Sequence, residues 1–325
     1  LFFLLLSGLS YLRYCQGGLA RRKAYLLCLA WLACSLLSKG WAITFPVVLL
    51  AIDVYPLRRM KIGSGNPAGQ RPWPLLLEKL PHFFLAAAGA ACALWAQTTT
   101  SMQNYTQYPL LNRIAQACYG LVFYLYKTVL PLQLCPIYEI PRNMNPFEAR
   151  FLASAAIVLA AAALLFALRK KFPAAAVCGF IYLVIVSPVL GLAQSGEQLV
   201  ADRYSYVACI PWAILAGGGF SLLWVRLEGV GSSMRKLAAT TCMAVVLVLS
   251  GLTWRQCHVW RDSWSLWTHC ISIYPNNWNA LNNLGILYAE KNEFQEALAC
   301  FQRSTAINPN KATMWTNAGR AAARL

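Results

Sequence analysis

Long apolar runs, separated by short basic or polar segments, occupy the chain as far as about Trp254. A membrane-spanning helix needs about 20 mostly apolar residues. Two shorter runs, 24–38 and 42–54, flank Lys39-Gly40-Trp41 and predict a tight hairpin that either crosses the membrane twice or re-enters it. The runs that predict spanning helices are 1–12 (a truncated one), 81–98, 149–168, 174–192, 204–225 and 237–253.

After Trp254 the sequence changes to the mixed polar and apolar pattern of a soluble module. Its spacing over residues 277–311 predicts two helices joined by a turn, with small residues at close contacts, aromatic residues filling the space and a proline ending the second helix. This matches the 34-residue tetratricopeptide unit. The signature positions are Leu281, Leu284, Gly285, Tyr288, Ala297, Phe301 and Pro309.

The fold class predicted from these patterns is all-α: a polytopic helical membrane domain followed by a tetratricopeptide-repeat solenoid. The membrane domain covers residues 1–253, and we expect its N-terminal part to be missing. Residues 254–276 form a junction helix and half repeat, 277–311 a full repeat, and 312–325 the start of another. Such repeats are typically surfaces that bind peptides or partner proteins.

Composition supports a membrane protein, since 58% of the residues are hydrophobic and only 12% are charged, against about 25% charged in a soluble domain. The formal charge of +17 does not indicate nucleic-acid binding, because the basic residues lie in short loops between apolar runs. Fifteen of the 28 Lys and Arg residues lie in four such loops, 13–23, 57–80, 169–171 and 226–236. The positive-inside rule places these loops in the cytoplasm.

Residues 112–131 decide on which side of the membrane the later loops lie, because one additional crossing would exchange the two sides. This run contains Arg113, Gln116 and Lys127, and it either crosses the membrane or lies along its outer surface. Crossing would divide the fifteen basic residues nine against six, so we adopt the second interpretation, with 99–148 as one outer loop containing an amphipathic helix. The triplet Asn104-Tyr105-Thr106 in that loop is an N-glycosylation acceptor motif.

The same interpretation places residues 194–203, and all residues after 253, on the outer side. We therefore predict an integral protein of a bacterial inner membrane or of the endoplasmic reticulum membrane, with its repeats in the periplasm or lumen. The twelve cysteines are scattered singly, without a Cys-x-x-Cys pair. Their spacing predicts neither a disulfide framework nor a metal site.

Two places at the predicted outer membrane edge carry candidate chemistry. Lys39 lies at the tip of the hairpin, where it either extends to water or binds the phosphate of a lipid donor as a point charge. The second place holds Glu197, Asp202 and Arg203 just before a span. Either these charges cap the next helix, or the acids take up a proton or a metal ion while Arg203 binds phosphate.

Asp53 lies at the opposite, cytoplasmic end of its run. Arg58 and Arg59 follow closely in the sequence. We interpret this group as a local ion pair.

Several short motifs resemble the transmembrane and tetratricopeptide-repeat O-mannosyltransferases and their bacterial relatives. They occur in family order and, together with the repeats, cover most of the chain. They are Leu37-Ser38-Lys39; Ile52-Asp53-Val54-Tyr55-Pro56-Leu57-Arg58-Arg59; residues 121–131 with Tyr126-Lys127-Thr128; and Val200-Ala201-Asp202-Arg203-Tyr204-Ser205-Tyr206.

This resemblance implies a C-type glycosyltransferase that transfers a sugar, mannose, from a polyprenyl or dolichyl phosphate to a protein acceptor outside the cytoplasm, with the repeats binding the acceptor. It implies a catalytic carboxylate, acting as base or metal ligand, upstream of Leu1. Lys39 and Arg203 would stabilise the leaving phosphate, and Glu197, Asp202 and Tyr204 complete the candidate polar site. No cofactor is identified; a divalent metal ion stays an option. Gly40 departs from the acidic residue that often follows the lysine in animal members.

A function from another class fits the same pattern. In that alternative the protein is a non-catalytic membrane-anchored scaffold whose repeats recruit partners outside the cytoplasm. A transporter fits less well, because the sequence shows no clear internal repeat of spans.

Overall fold

A computed structural model describes residues 1–60, 72–98, 109–141, 143–192, 196, 198–229 and 231–325. Glu197 and the triplet that begins at Asn104, which the sequence analysis names, lie outside these ranges. The structure is helical, with one two-stranded sheet among the described residues, and it confirms the predicted fold class. The helices and strands are α1 (Phe2–Gln16), α2 (Arg21–Ser38), α3 (Phe45–Val54), α4 (Pro72–Thr98), α5 (Leu110–Val129), β1 (Tyr138–Glu139), α6 (Ala149–Leu168), α7 (Pro173–Val186), β2 (Gln198–Val200), α8 (Ser205–Ala208), α9 (Ile210–Leu227), α10 (Ser232–Val259), α11 (Ser263–Ile273), α12 (Trp278–Glu290), α13 (Phe294–Ile307) and α14 (Ala312–Ala322).

Four of the described helices are long and apolar enough to cross a membrane: Pro72–Ala96 within α4, and the whole of α6, α9 and α10. Each overlaps one of the predicted spans. The predicted span 174–192 is shorter as a helix, because α7 ends at Val186 and a 3-10 turn, Ser187–Val189, follows. Pro188 contributes to this end, since it has no N–H to donate to a carbonyl of the preceding turn.

The chain divides into two compact units. The first comprises Leu1–Leu125, Arg142–Glu197 and Tyr204–Gly219; the second comprises Tyr126–Pro141, Gln198–Arg203 and Phe220–Leu325.

In the first unit, α1 and α2 form a helical hairpin. Gly17 and Gly18 turn the chain at positive φ angles of 80° and 96°, which glycine adopts without steric cost. Helix α2 also packs on α4, and α3 packs on both α4 and α7. Tyr11, Leu32 and Leu49 are fully buried among these helices.

Two polar residues in the N-terminal part of α5 lie in the interior of the first unit. Arg113 and Gln116 are buried, and the Arg113 guanidinium donates to the Leu192 carbonyl at 3.1 Å. Helix α5 is not among the four helices long and apolar enough to span. Its position along the outer surface stays a prediction.

The second unit contains the sheet and the repeat helices. Strands β1 and β2 pair antiparallel, with Tyr138 opposite Val200. Helix α12 packs on α13, and α13 packs on α14. A Cβ atom at Gly285 would lie 2.7 Å from the Phe301 ring, so glycine is needed at this helix–helix contact, as the repeat spacing predicts.

Candidate functional site

Asp202 is the centre of a polar cluster in the second unit. It follows β2 and begins a 3-10 turn, Asp202–Tyr204. Its carboxylate accepts a hydrogen bond from the Cys135 backbone N–H at 2.7 Å. It also accepts from the Tyr138 hydroxyl, at 3.1 and 3.2 Å to its two oxygens. Asp202 therefore holds the segment before and within β1, which lies more than 60 residues earlier in the sequence.

Burial sets the protonation of this cluster. It raises the pKa of Asp202 to about 6, although the hydrogen bonds from Cys135 and Tyr138 and the charge of Lys127 act in the opposite direction. Burial likewise raises the pKa of Tyr138 and lowers the pKa of Lys127. The Lys127 ammonium donates to the carbonyls of Leu132 and Gln133. A carboxyl group with a pKa near neutrality can exchange a proton under physiological conditions.

Arg203 holds the same segment from a second point. Its guanidinium donates to the Pro136 carbonyl at 3.0 Å, while the residue as a whole is exposed. The part of the guanidinium that contacts Pro136 thus supports the backbone. The predicted role of Arg203 in phosphate binding stays a proposal.

The segment that Asp202 holds also caps the first repeat helix. The Glu139 carboxylate accepts from the backbone N–H groups of Trp278 at 3.4 Å and Asn279 at 2.8 Å. Asn277 caps the Ala280 N–H at 2.8 Å through its side-chain oxygen. The first three N–H groups of α12, which have no acceptor within their own helix, therefore all have acceptors.

The remaining candidates lie in the first unit. Lys39 is exposed at the end of α2, with its ammonium 5.9 Å from the centre of the Trp41 ring. The Trp41 ring lies 5.4 Å from the ring of Tyr204, and Tyr204 also contacts Tyr124 at 6.4 Å. Lys39 and Tyr204, which are 165 positions apart in the sequence, are thus linked through one aromatic ring.

A buried charge cluster surrounds Asp53. The interpretation of a local pair is right for Arg59, whose guanidinium lies 3.1 Å from the Asp53 carboxylate. Arg58 instead lies over the Tyr55 ring. Lys79 lies 2.9 Å from the other Asp53 oxygen, with both side chains fully buried.

Glu78 completes this cluster and makes it electrically neutral. It binds Arg59 at 2.8 Å and Lys79 at 2.6 Å, so two acids meet two bases. Because all four charges are paired with one another in a largely buried cluster, we interpret the cluster as structural. Sequence reasoning missed Glu78 and Lys79 because it began the span at residue 81, whereas α4 begins at Pro72.

Sequence reasoning also missed Cys135, Tyr138 and Glu139, which no local pattern marks. Among the described residues, no group of three or more His, Cys, Asp or Glu side chains is placed to hold a metal ion. The Asp202 oxygens accept from protein donors.

Comparisons with known proteins agree with this architecture. Residues 278–311 match the tetratricopeptide repeat family model. The chain is 31% identical over 145 residues to protein O-mannosyl-transferase Tmtc1 of Drosophila melanogaster, covering 44% of this chain and 16% of the fly protein. It is 25% identical over 123 residues to protein O-mannosyl-transferase TMTC3 of Mus musculus, covering 38% of this chain and 13% of the mouse protein.

The protein O-mannosyl-transferase TMTC3 of Homo sapiens is 26% identical over 122 residues, with the same two shares of 38% and 13%. No solved structure matches the chain. The matches thus span less than a fifth of the length of these relatives. They confirm the resemblance to the transmembrane and tetratricopeptide-repeat O-mannosyltransferases that the sequence motifs indicate.

Proposed function

We propose that the chain is part of a membrane glycosyltransferase that transfers a sugar, mannose, from a polyprenyl or dolichyl phosphate to a protein acceptor on the non-cytoplasmic side. The observation that carries the proposal is one chain that combines apolar spanning helices with a tetratricopeptide repeat and is similar to proteins named O-mannosyl-transferases. The repeats bind the acceptor. The membrane is a bacterial inner membrane or that of the endoplasmic reticulum.

Lys39 is the proposed contact for the donor phosphate. Its ammonium is exposed at the tip of the α2–α3 hairpin and lies beside Trp41. A compact cation there stabilises the negative charge that develops on the phosphate as the glycosidic bond breaks. The Trp41 ring beside this ammonium also contacts the ring of Tyr204.

Arg203 and Asp202 complete the proposal. Arg203 is the proposed further contact for the phosphate, as the resemblance to the O-mannosyltransferases implies. Asp202, with its pKa near 6, positions Arg203 and the segment before β1. Glu197 stays a candidate member of this polar site. The proposal assigns the catalytic base to none of the described residues.

The test is transfer of mannose from a lipid phosphate donor to acceptor protein by the full-length protein in membranes. Lys39→Ala should lower the rate by about 100-fold, and Lys39→Arg should retain part of it, because a cation remains. Lys23→Ala is the matched control, since Lys23 is an exposed lysine near the opposite end of α2 and should leave the rate unchanged. A wild-type rate in Lys39→Ala at equal abundance would contradict this role.

The scaffold alternative predicts a different outcome of the same assay. Because a repeat surface needs no chemistry to recruit a partner, the wild-type protein would then show no transfer with any lipid phosphate donor. It would still retain its partner proteins through residues 278–311.

A further inference from the structure

Two cysteines that are far apart in the sequence meet in the second unit. Cys135 lies just before β1 and Cys270 lies in α11, and both side chains are almost fully buried. They belong to one packed cluster with Ala280, against which Tyr138 and Trp267 also pack. Each thiol shifts the pKa of the other, which is lowered for Cys135 and raised for Cys270. Their separation of 135 positions explains why cysteine spacing gives no sign of this pair.

The backbone on both sides of this thiol pair is fixed by independent contacts. The Cys135 N–H is bonded to Asp202 at 2.7 Å, and the Asn277 side chain donates to the Ile137 carbonyl at 3.2 Å. The rings of Tyr138 and Tyr274 are in edge-to-face contact at 5.5 Å. Segments held in register on both flanks keep the two thiols together without a covalent bond. Both cysteines lie in one packed cluster, and close approach of the two side chains is what a disulfide requires.

We propose that Cys135 and Cys270 form a disulfide bond in the mature protein, which covalently joins the segment before β1 to α11, the helix that precedes the first repeat. The predicted topology places both residues on the outer side of the membrane. The periplasm and the endoplasmic reticulum lumen are both oxidising compartments in which disulfides persist. The proposal does not depend on transfer activity, because it concerns the attachment of the repeats and not the chemistry of the donor.

The reaction is thiol–disulfide exchange with a disulfide donor of that compartment, before the segment docks and buries the thiols. The thiolate of one of the two cysteines attacks one donor sulfur, forming a mixed disulfide and releasing the first donor thiolate. The thiolate of the other cysteine then attacks the protein sulfur of this mixed disulfide and releases the second donor thiolate. The two cysteines lose two protons and two electrons, and the donor disulfide is reduced to two thiols.

The test maps disulfides in the wild-type full-length protein, taken from native membranes and alkylated under denaturing conditions without reductant. Trypsin releases residues 128–142 and 262–291, each with one cysteine, and 292–303 with Cys300 as an internal control. We expect the first two peptides to be recovered mainly as one linked species that disappears on reduction. The Cys300 peptide should carry the alkyl label.

Two cysteine variants test the assignment of the linked peptides. Cys270→Ser should release residues 128–142 with an alkylated Cys135, whereas Cys257→Ser, at an exposed cysteine of α10, should leave the linked species intact. Recovery of both wild-type peptides as alkylated monomers, or of Cys135 linked to another cysteine, would overturn the proposal. Neither result bears on mannose transfer, so failure here is distinguishable from failure of the proposed function.

Discussion

The partners and the protonation of individual charged residues in this protein depend on their surroundings in the fold and not on their immediate sequence neighbours. Asp202 and Arg203 are adjacent, yet one accepts from Cys135 and Tyr138 while the other donates to Pro136. Both therefore hold one loop from two sides. The consequence is that the Asp202 carboxyl group, at the predicted outer membrane edge, is partly buried, with its pKa raised to about 6.

This pKa predicts a pH dependence of stability. Because folded Asp202 binds its proton more tightly than an unfolded aspartate with a pKa of 3.8, its contribution is fully present below about pH 4 and is lost as the pH rises through about 6. The change is at most about 3 kcal/mol. The Asp202→Asn variant keeps the shape of the side chain but does not titrate.

The measurement is the difference in thermal unfolding midpoint between wild type and Asp202→Asn from pH 4.5 to pH 7.5. The wild type should lose stability relative to the variant as the pH rises, while the effects of all other titrating groups cancel in the difference. Two curves that run parallel across this range would show that Asp202 does not titrate as stated.

At the scale of elements, the start of α12 is stabilised from outside its own helix. Asn277 provides one cap from the position just before the helix, and Glu139 contributes a second one from 139 and 140 positions away. A negative charge at this end of a helix is favourable, because the unpaired N–H groups give it a partial positive charge. The segment before β1 and the first repeat therefore stabilise each other.

Removal of this second cap should loosen the first turn of α12. Glu139→Ala should cost about 1–2 kcal/mol, the usual range for a lost helix cap, seen as faster hydrogen exchange at Trp278 and Asn279. Glu148→Ala is the matched control, because Glu148 forms an exposed ion pair with Arg150, and such pairs contribute little. Equal exchange rates in the two variants would argue against the cap.

At the scale of the whole molecule, the distribution of basic residues predicts which loops share a side. The fifteen Lys and Arg residues of four loops should lie in the cytoplasm, and the repeats should lie outside. The four helices that are long and apolar enough to span are consistent with a membrane protein. The side on which each loop lies stays a prediction.

Labelling of introduced cysteines tests this arrangement. Asn310→Cys, exposed after α13, should react with a membrane-impermeant maleimide added from outside. Lys170→Cys, exposed after α6, should react only after the membrane is permeabilised. The wild-type protein provides the background from native cysteines. External labelling of Lys170→Cys together with protection of Asn310→Cys would reverse the predicted orientation.

The sequence by itself determined the features that depend on local periodicity. Runs of apolar residues predicted the spanning helices, and the 34-residue spacing predicted the repeat, down to the need for glycine at Gly285 beside Phe301. These predictions succeed because the residues concerned are close in the chain, so their spacing alone decides which face of a helix they share.

Only the tertiary structure decided which distant groups meet. It paired Asp53 with Lys79, Asp202 with Cys135, and Cys135 with Cys270. Separations of 26 to 135 positions lie beyond any helical or strand period, so no local pattern records them. Such contacts are selected by burial, since a charge or a backbone N–H removed from water requires a partner wherever the fold supplies one.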